Sequence, residues 1–389
     1  MAGQQPQPVS HLTPPPLSFG IEQEFFIADL RSRNIIRRRP RRFFQACQQA
    51  FGEQITTELL QSQVELVTPI LSNLASARDC LLESRAGLGA IAEDFGLGIL
   101  ASGTHPLALW REQEATREPH YEQLFGDFQI VAQRNLLCGL HIHVGVPDGV
   151  DRIRVMNRVM PWLPLLLALS SSSPFWERKR TGLMSYRQAA YDEWPRTGIP
   201  DHFNSERAYR RYVDLLVQTG SVTSDSDIWW AIRPSVRFPT LELRITDACP
   251  VVEDILCIAA LFRAMVHHAV ASSSSRDRHN EMTRLVIDEN RWRAKRFGTE
   301  ATFLDPNSRS NVSIGQWLEM AGNRFGESLE AHGDGAAMAQ ARGIVDQGSS
   351  AVLQLRRYNA ARRTGLARRQ ALAQVVDELM EVSRRGAYA

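Results

Sequence analysis

A short polar alternation flanked by apolar and aromatic residues, Gly20-Ile21-Glu22-Gln23-Glu24-Phe25-Phe26, predicts a strand near the start of the chain. Side chains two apart on a strand share a face, so Glu22 and Glu24 project together. Polar pairs at that spacing recur further on. In 139–146, His141 and His143 share one face and Leu140, Ile142 and Val144 the other. In 228–247, Glu242 and Arg244 share a strand face, with Arg233 and Arg237 just upstream. A strand-like piece over 57–69 carries Glu58 and Glu65, and alternation turns Glu65 away from its neighbours Val64 and Leu66. A short strand over 99–105 ends sharply at Ser102-Gly103-Thr104-His105-Pro106.

Helical periodicity covers much of the rest. It predicts helices over 41–52, 71–95 (stopped by Gly96), 118–135, 151–173 and 206–219. From 251 onward the pattern is helical throughout, with breaks near 272–275, 303–312 and 333–335. The stretch 175–203 reads as a long irregular loop bearing Trp176, Arg180, Tyr186, Arg187 and Trp194, and such loops in compact domains usually carry function.

With 389 residues and 43% hydrophobic content the chain can bury a large core, while 45 basic against 43 acidic residues give no general case for nucleic acid. Seven arginines crowd Arg31 to Arg42, a run able to bind nucleic acid or acidic lipid; directly after a strand it reads as a solvated arm and helix start. Five widely spaced cysteines without a C-x-x-C pair fit reduced thiols better than a disulfide framework or structural zinc. The most apolar run, 159–169, is too short to span a bilayer, and 1–16 is a Pro- and Gln-rich stretch expected to be disordered. The expectation is a cytoplasmic protein: a tail over 1–16, then one catalytic domain over 17–389 whose part from about 251 is helical.

Hard oxygen donors dominate the recurrent pairs, with one or two imidazoles, a mixture that suits Mg²⁺ or Mn²⁺ better than zinc. Arginines beside several acidic ligands suit a polyphosphate. The sequence holds neither G-x-x-x-x-G-K-[ST] nor G-x-G-x-x-G, so ATP chemistry without a P-loop is the natural inference. Two other classes stay open: a metal-dependent hydrolase built on His141 and His143, which would not need Arg233, Arg237 and Arg244, and a non-catalytic nucleotide or amino-acid sensor, which could dispense with part of the set.

Five motifs in order, F-G-I-E-Q-E, V-E-L-V-T-P, G-T-H-P, G-L-H-I-H-V-G and R-P-S-x-R-F-x-T-L-E-L-R-I-T-D, resemble the glutamate–cysteine ligase type 2 family, carboxylate–amine ligases related to glutamine synthetase. The resemblance implies an α+β fold: a glutamine synthetase-like curved antiparallel sheet lining the active site, with helices packed on its outer side. It implies ATP-dependent joining of L-glutamate to L-cysteine through a γ-glutamyl phosphate. Members are often weak on these substrates, so another amine is left open, as is a homo-oligomeric assembly; neither nucleic acid nor membrane is expected as a partner. By motif match, Glu22, Glu58 and Glu65 resemble the ligands of one metal, and Glu24, His141 and Glu242 those of a second. Glu58 rests only on its spacing from Glu65. His143 resembles the histidine that contacts the ATP phosphates. Arg233, Arg237 and Arg244 would contact phosphates or the acyl phosphate, and Arg187 would hold a substrate carboxylate.

Overall fold

The computed structural model describes residues 16–272 and 281–388. The expected disordered stretch, apart from Pro16, and most of the break at 272–275 lie outside them. The first half runs β1 (Phe19–Asp29), α1 (Arg41–Phe51), β2 (Ile55–Thr57), β3 (Gln63–Val67), α2 (Leu74–Asp94), β4 (Leu97–Leu100), α3 (Pro119–Phe128), α4 (Ile130–Gln133), β5 (Leu140–Gly145), α5 (Arg152–Val159) and α6 (Leu163–Ser170). The hairpin β6 (Phe175–Trp176) and β7 (Lys179–Arg180) follows, then α7 (Tyr186–Tyr191), α8 (Glu206–Gln218), β8 (Ile232–Pro234) and β9 (Thr240–Leu243). The remainder is α9 (Val252–Ala271), α10 (Glu281–Phe297), β10 (Thr302–Asp305), β11 (Ser310–Ser313), α11 (Ile314–Ala331), α12 (Ala337–Gln347), α13 (Ser350–Arg363) and α14 (Arg368–Arg385).

The main sheet is antiparallel, ordered β2-β3-β1-β5-β9-β8. Its axis is β1, whose first half pairs with β5 and whose second half pairs with β4. The alternation that pairs Glu22 with Glu24 also sends Ile21, Leu140, Ile142, Val144, Leu241 and Leu243 to the opposite face, where they are buried against α5, α6, α9 and α11. A second core joins Phe25, Phe26 and Ile27 to α1, α2 and α14 through Phe43, Leu88, Val376 and Leu379. The fold is α+β, with helices covering one side of an antiparallel sheet.

Several elements differ from the pattern's first reading. The piece over 57–69 is two strands of a hairpin, with Glu58 in the turn between them. The helix expected over 151–173 starts at an Asp151 cap but is interrupted by the 3-10 turn Met160–Trp162, because Pro161 and Pro164 lack the N–H that a continuous helix requires. That over 118–135 breaks at Gln129, whose φ is 48°. The strand over 99–105 stops at Leu100, the stretch 228–247 is a hairpin, and 175–203 holds a small hairpin and α7. The part from 251 is not helical throughout: the break at 303–312 is the β10–β11 hairpin, its turn closed by Asp305, which accepts from the backbone of Asn307 and Ser308. Among the described residues one helix, α9, is by length and composition able to cross a bilayer, but 83% of its most apolar stretch is buried inside the protein. The arginine arm is tied down: Arg33 pairs with Asp377 and Arg38 with Glu114, while Arg39 donates to the Gln63 carbonyl.

Candidate active site

Strand register assembles the charged groups. Glu22 lies opposite His141, Glu24 opposite Glu65, His143 opposite Glu242, and Glu242 opposite Arg233. Directly opposed residues in an antiparallel pair bring their side chains within contact distance, so one face of five strands becomes a continuous polar surface. His141 Nδ1 is 3.2 Å from Glu22 Oε2, and His143 Nε2 lies 2.9 Å from Glu22 Oε1 without the angles of a hydrogen bond. The other nitrogen of His143 meets Thr240 Oγ1 at 3.0 Å, which fixes the ring. Glu24 Oε2 accepts from the Gly139 amide at 2.6 Å.

The charges are not balanced on both sides of this surface. At the β8–β9 edge, burial would push Glu242 up, but the guanidiniums of Arg244 and Arg233 overcome it and hold the carboxyl at about 2. At the β2–β3 edge the reverse holds. Burial, with the Glu24 charge beside it, pushes Glu58 up to about 8, and burial with Glu22, Glu58 and Glu24 pushes Glu65 well up. Glu22 is held down despite burial by the His141 and His143 imidazoles that face its two oxygens, and burial followed by the Arg244 charge lowers His141. Four carboxylates thus crowd together around His141, itself held toward the neutral form, with too little positive charge, an arrangement that a cation relieves. Ligand atoms of Glu22, His141 and Glu242 lie within 4.8 Å of one another, as do those of Glu24, Glu65 and His141. His141 Nε2 is buried with no hydrogen-bond partner among the described residues.

A cavity of about 160 Å³ opens at the Glu24 end, lined by Glu58, His141, Arg187, Tyr191, Trp194 and Arg244 among others. The Arg187 guanidinium is buried there, its Nη1 donating to the carbonyls of Thr246 and Arg244 at 3.0 and 3.3 Å and its plane 5.4 Å from the Tyr191 ring. Nε of Arg187 and of Arg244 have no hydrogen-bond partner among the described residues.

The sequence profile described as Glutamate-cysteine ligase family 2 (GCS2) matches residues 18–377. The chain belongs to this family. A relative from Ectopseudomonas mendocina, provisionally named glutamate–cysteine ligase 2, is 50% identical over 363 residues, 93% of this chain and 96% of that one. One of the same name from Pseudomonas aeruginosa PAO1 is 43% identical over 378 residues, 96% of this chain and 97% of that one. Among solved structures, a Francisella tularensis glutamate–cysteine ligase in complex with AMP is 12% identical with a TM-score of 0.71, covering 96% of this chain and 90% of that one. A bifunctional glutathione synthetase from Pasteurella multocida is 16% identical with a TM-score of 0.69, covering 94% of this chain; the match spans 52% of the longer protein, about half its length. These two share the fold. As a member of glutamate–cysteine ligase family 2, the protein is an ATP-dependent ligase.

Of the eleven residues singled out from the sequence, eight sit on the polar face, all but Glu58, Arg187 and Arg237, and Arg187 lines the cavity at its end. Glu58 reaches it from a turn, outside both ligand triplets, at the mouth of the cavity. The triplets also group the carboxylates differently from the motif match: Glu22 goes with His141 and Glu242, and Glu24 with Glu65 and His141, because register puts Glu22 beside His141 and Glu24 beside Glu65. Arg237 is not in the cluster. It is exposed at the tip of the β8–β9 hairpin, lining a separate groove with Asp148, Arg152 and Phe238, and the Phe238 ring stands edge-on to His143 at 6.2 Å. Arg187 belongs to α7 and not to an irregular loop. His105 stands in neither triplet: it is buried, held near 3 by that burial, and packs edge-on against Phe26.

Gly139, which has no Cβ, lets two functional groups approach its backbone closely. A Cβ there would overlap the Arg187 guanidinium, with Cζ at 2.9 Å, and stand 2.9 Å from His141 Nε2. Gly139→Ala is therefore expected to displace both groups and lower turnover by roughly 10²-fold, with the thermal midpoint falling by only a few degrees. Steady-state kinetics beside a melting curve check this, and a variant retaining full turnover would show that neither group needs its present place.

Proposed function

We propose that the protein joins the γ-carboxylate of L-glutamate to the amine of L-cysteine or a related amine, at the expense of ATP and with Mg²⁺ or Mn²⁺, in the cytoplasm. The observation that carries this reading is the pairing of two oxygen-rich ligand triplets sharing His141 with buried arginines on the same face. The donor set fits hard divalent cations, since carboxylates dominate, no cysteine takes part, and Glu58 and Glu65 are otherwise pushed to hold protons. Glu22, His141 and Glu242 would hold one ion, and Glu24, Glu65 and His141 another, with Glu58 beside them. Such ions, when bound, neutralise phosphate charge and polarise the transferred phosphoryl group.

The chain's own groups do the rest by position and charge. The groove from His143 past Phe238 to Arg237 and Arg152 offers a path for the phosphates out of the cluster. Glu242 holds Arg233 and Arg244 in place, leaving Arg244 Nε free to face charge developing on the transferred group. Arg187, in the cavity at the other end, would receive the amino-acid carboxylate. The γ-phosphoryl group passes to the glutamate side-chain carboxylate as ADP leaves. The amine nitrogen then attacks the acyl carbon, and the C–O bond to phosphate breaks. Burial of the surface keeps water from competing for the acyl phosphate.

The test is phosphate release from ATP and Mg²⁺ with glutamate fixed and the amine varied. Release that requires both glutamate and an amine is expected; release indifferent to both would overturn the reading. Arg237→Lys keeps the charge but loses the planar fork, and turnover should fall roughly tenfold, about one charge-assisted hydrogen bond. An unchanged rate would remove Arg237 from the phosphate path.

A further inference from the structure

We infer that Asp247, the last letter of the R-I-T-D motif, is a positioning residue that sets the place of the Arg187 guanidinium, an inference that rests on Arg187 receiving the amino-acid carboxylate. Asp247 is completely buried. Its Oδ2 accepts from the Ser172 amide at 3.0 Å and the Ser173 hydroxyl at 2.6 Å, and its Oδ1 from the Ser185 hydroxyl at 2.8 Å. Those two hydroxyls are the ones that start α7. Ser173 Oγ accepts from the Arg187 amide at 3.0 Å, and Ser185 is the N-cap, accepting from the Gln188 amide at 3.4 Å. A single carboxylate thereby fixes both oxygens on which the first turn of α7 hangs, and that turn carries Arg187.

The far end of the same side chain is tied to the same strand end. The backbone of Asp247 pairs with Gly139, the residue over which the guanidinium rests, and Arg187 Nη1 donates to the carbonyls of Thr246 and Arg244. Helix start and guanidinium are thus referenced to one point, the turn after β9. Gly103 keeps that point open: a Cβ there would lie 2.7 Å from Asp247 Cγ and 2.9 Å from Ser173 Cβ. A buried carboxylate is a costly way to hold two segments together, since apolar packing of similar volume does as well or better. What it supplies here is direction, through three donors at fixed angles.

The experiment compares Asp247→Ala, Arg187→Ala and the double variant by phosphate release from ATP, with glutamate and ATP each varied at saturating cysteine. Asp247→Ala is expected to raise the glutamate KM by about tenfold or more while the ATP KM stays within about twofold, the split that displacement of one substrate contact produces. Because both residues act through one contact, the double variant should be no worse than Arg187→Ala alone. Multiplicative losses would overturn the inference. So would an unchanged glutamate KM in Asp247→Ala beside a raised one in Arg187→Ala. An unchanged glutamate KM in Arg187→Ala would instead bring down the role given to Arg187, and the inference with it. Should Asp247→Ala not fold, Asp247→Asn, which keeps the shape and one acceptor, and Gly103→Ala, which crowds the carboxylate, replace it. Both should raise the glutamate KM about threefold and speed amide hydrogen exchange over 183–192 without changing it over 252–271. No change in either variant, in KM and in exchange, would sink the inference.

Discussion

Glu24→Gln should cost ~10²-fold or more in Mg²⁺-dependent turnover, in the manner of losing a metal-ligand contact and the phosphate chemistry it supports, and should not destabilise the protein. Gln preserves the volume of the side chain and an oxygen able to accept from the Gly139 amide, so the local backbone is not disturbed. What it removes is one charge from the triplet with Glu65 and His141. The same charge is among the causes that push Glu58 and Glu65 up, so the metal-free protein loses a repulsion along with its donor. Activity and stability therefore move in opposite directions. A Mg²⁺ titration of phosphate release, with a melting curve taken in EDTA, reads both. Normal turnover at ordinary Mg²⁺ would show that Glu24 does not face the ion, and a melting point lowered by many degrees would show that its charge is structurally needed.

The sheet was legible because its signal is local. Period-two alternation around Glu22, His141 and Glu242 specifies a strand and its polar face together, and all three fall where the pattern put them. Neighbour relations across strands were not legible, since register depends on which strands pair. That is why Glu22 stands with His141 and Glu242 and not with Glu65, while Glu24 keeps His141 but takes Glu65 in place of Glu242. The hairpin tip that carries Arg237 away from the cluster is passed over when Ile228 to Asp247 is read as one run, although Pro234-Ser235 and Pro239 bracket the place where the chain reverses. Asp247 escaped notice for a different reason. A single buried carboxylate whose partners are three serines 60 to 75 residues away leaves no spacing to read. The motif letter beside Ile245 and Thr246 was the available sign. The break at Pro161 and Pro164 was written in the sequence and was overruled by the apolar run around it.

The largest loss of stability is expected far from the polar face, at Asp334. Its carboxylate takes Nε of Arg263 at 3.1 Å and Nη2 as well, and both side chains are buried, at 2% and 0% exposure. Arg263 also donates Nη1 to the Ser72 carbonyl at 3.0 Å and lies 4.6 Å over the Phe19 ring. One ion pair so joins α9, the turn before α12, the residue ahead of the α2 cap and the first residue of β1. Asp334→Ala leaves a guanidinium buried without its counter-charge, at a cost of about 3–5 kcal/mol, a large part of the 5–15 kcal/mol typical of a folded domain. Replacing both partners by apolar residues of similar volume, Arg263→Met with Asp334→Leu, should recover most of that loss, because the penalty lies in the stranded charge more than in the missing attraction. The exposed pair Arg38–Glu114 gives the contrast, and Glu114→Ala should cost about 1 kcal/mol at most. Urea unfolding of the variants ranks them directly, and turnover per folded molecule should be the same for all, since neither pair touches the polar face. An Asp334→Ala protein within about 1 kcal/mol of the parent would mean that water or a rearranged neighbour reaches Arg263, and the double replacement would then show no recovery to make.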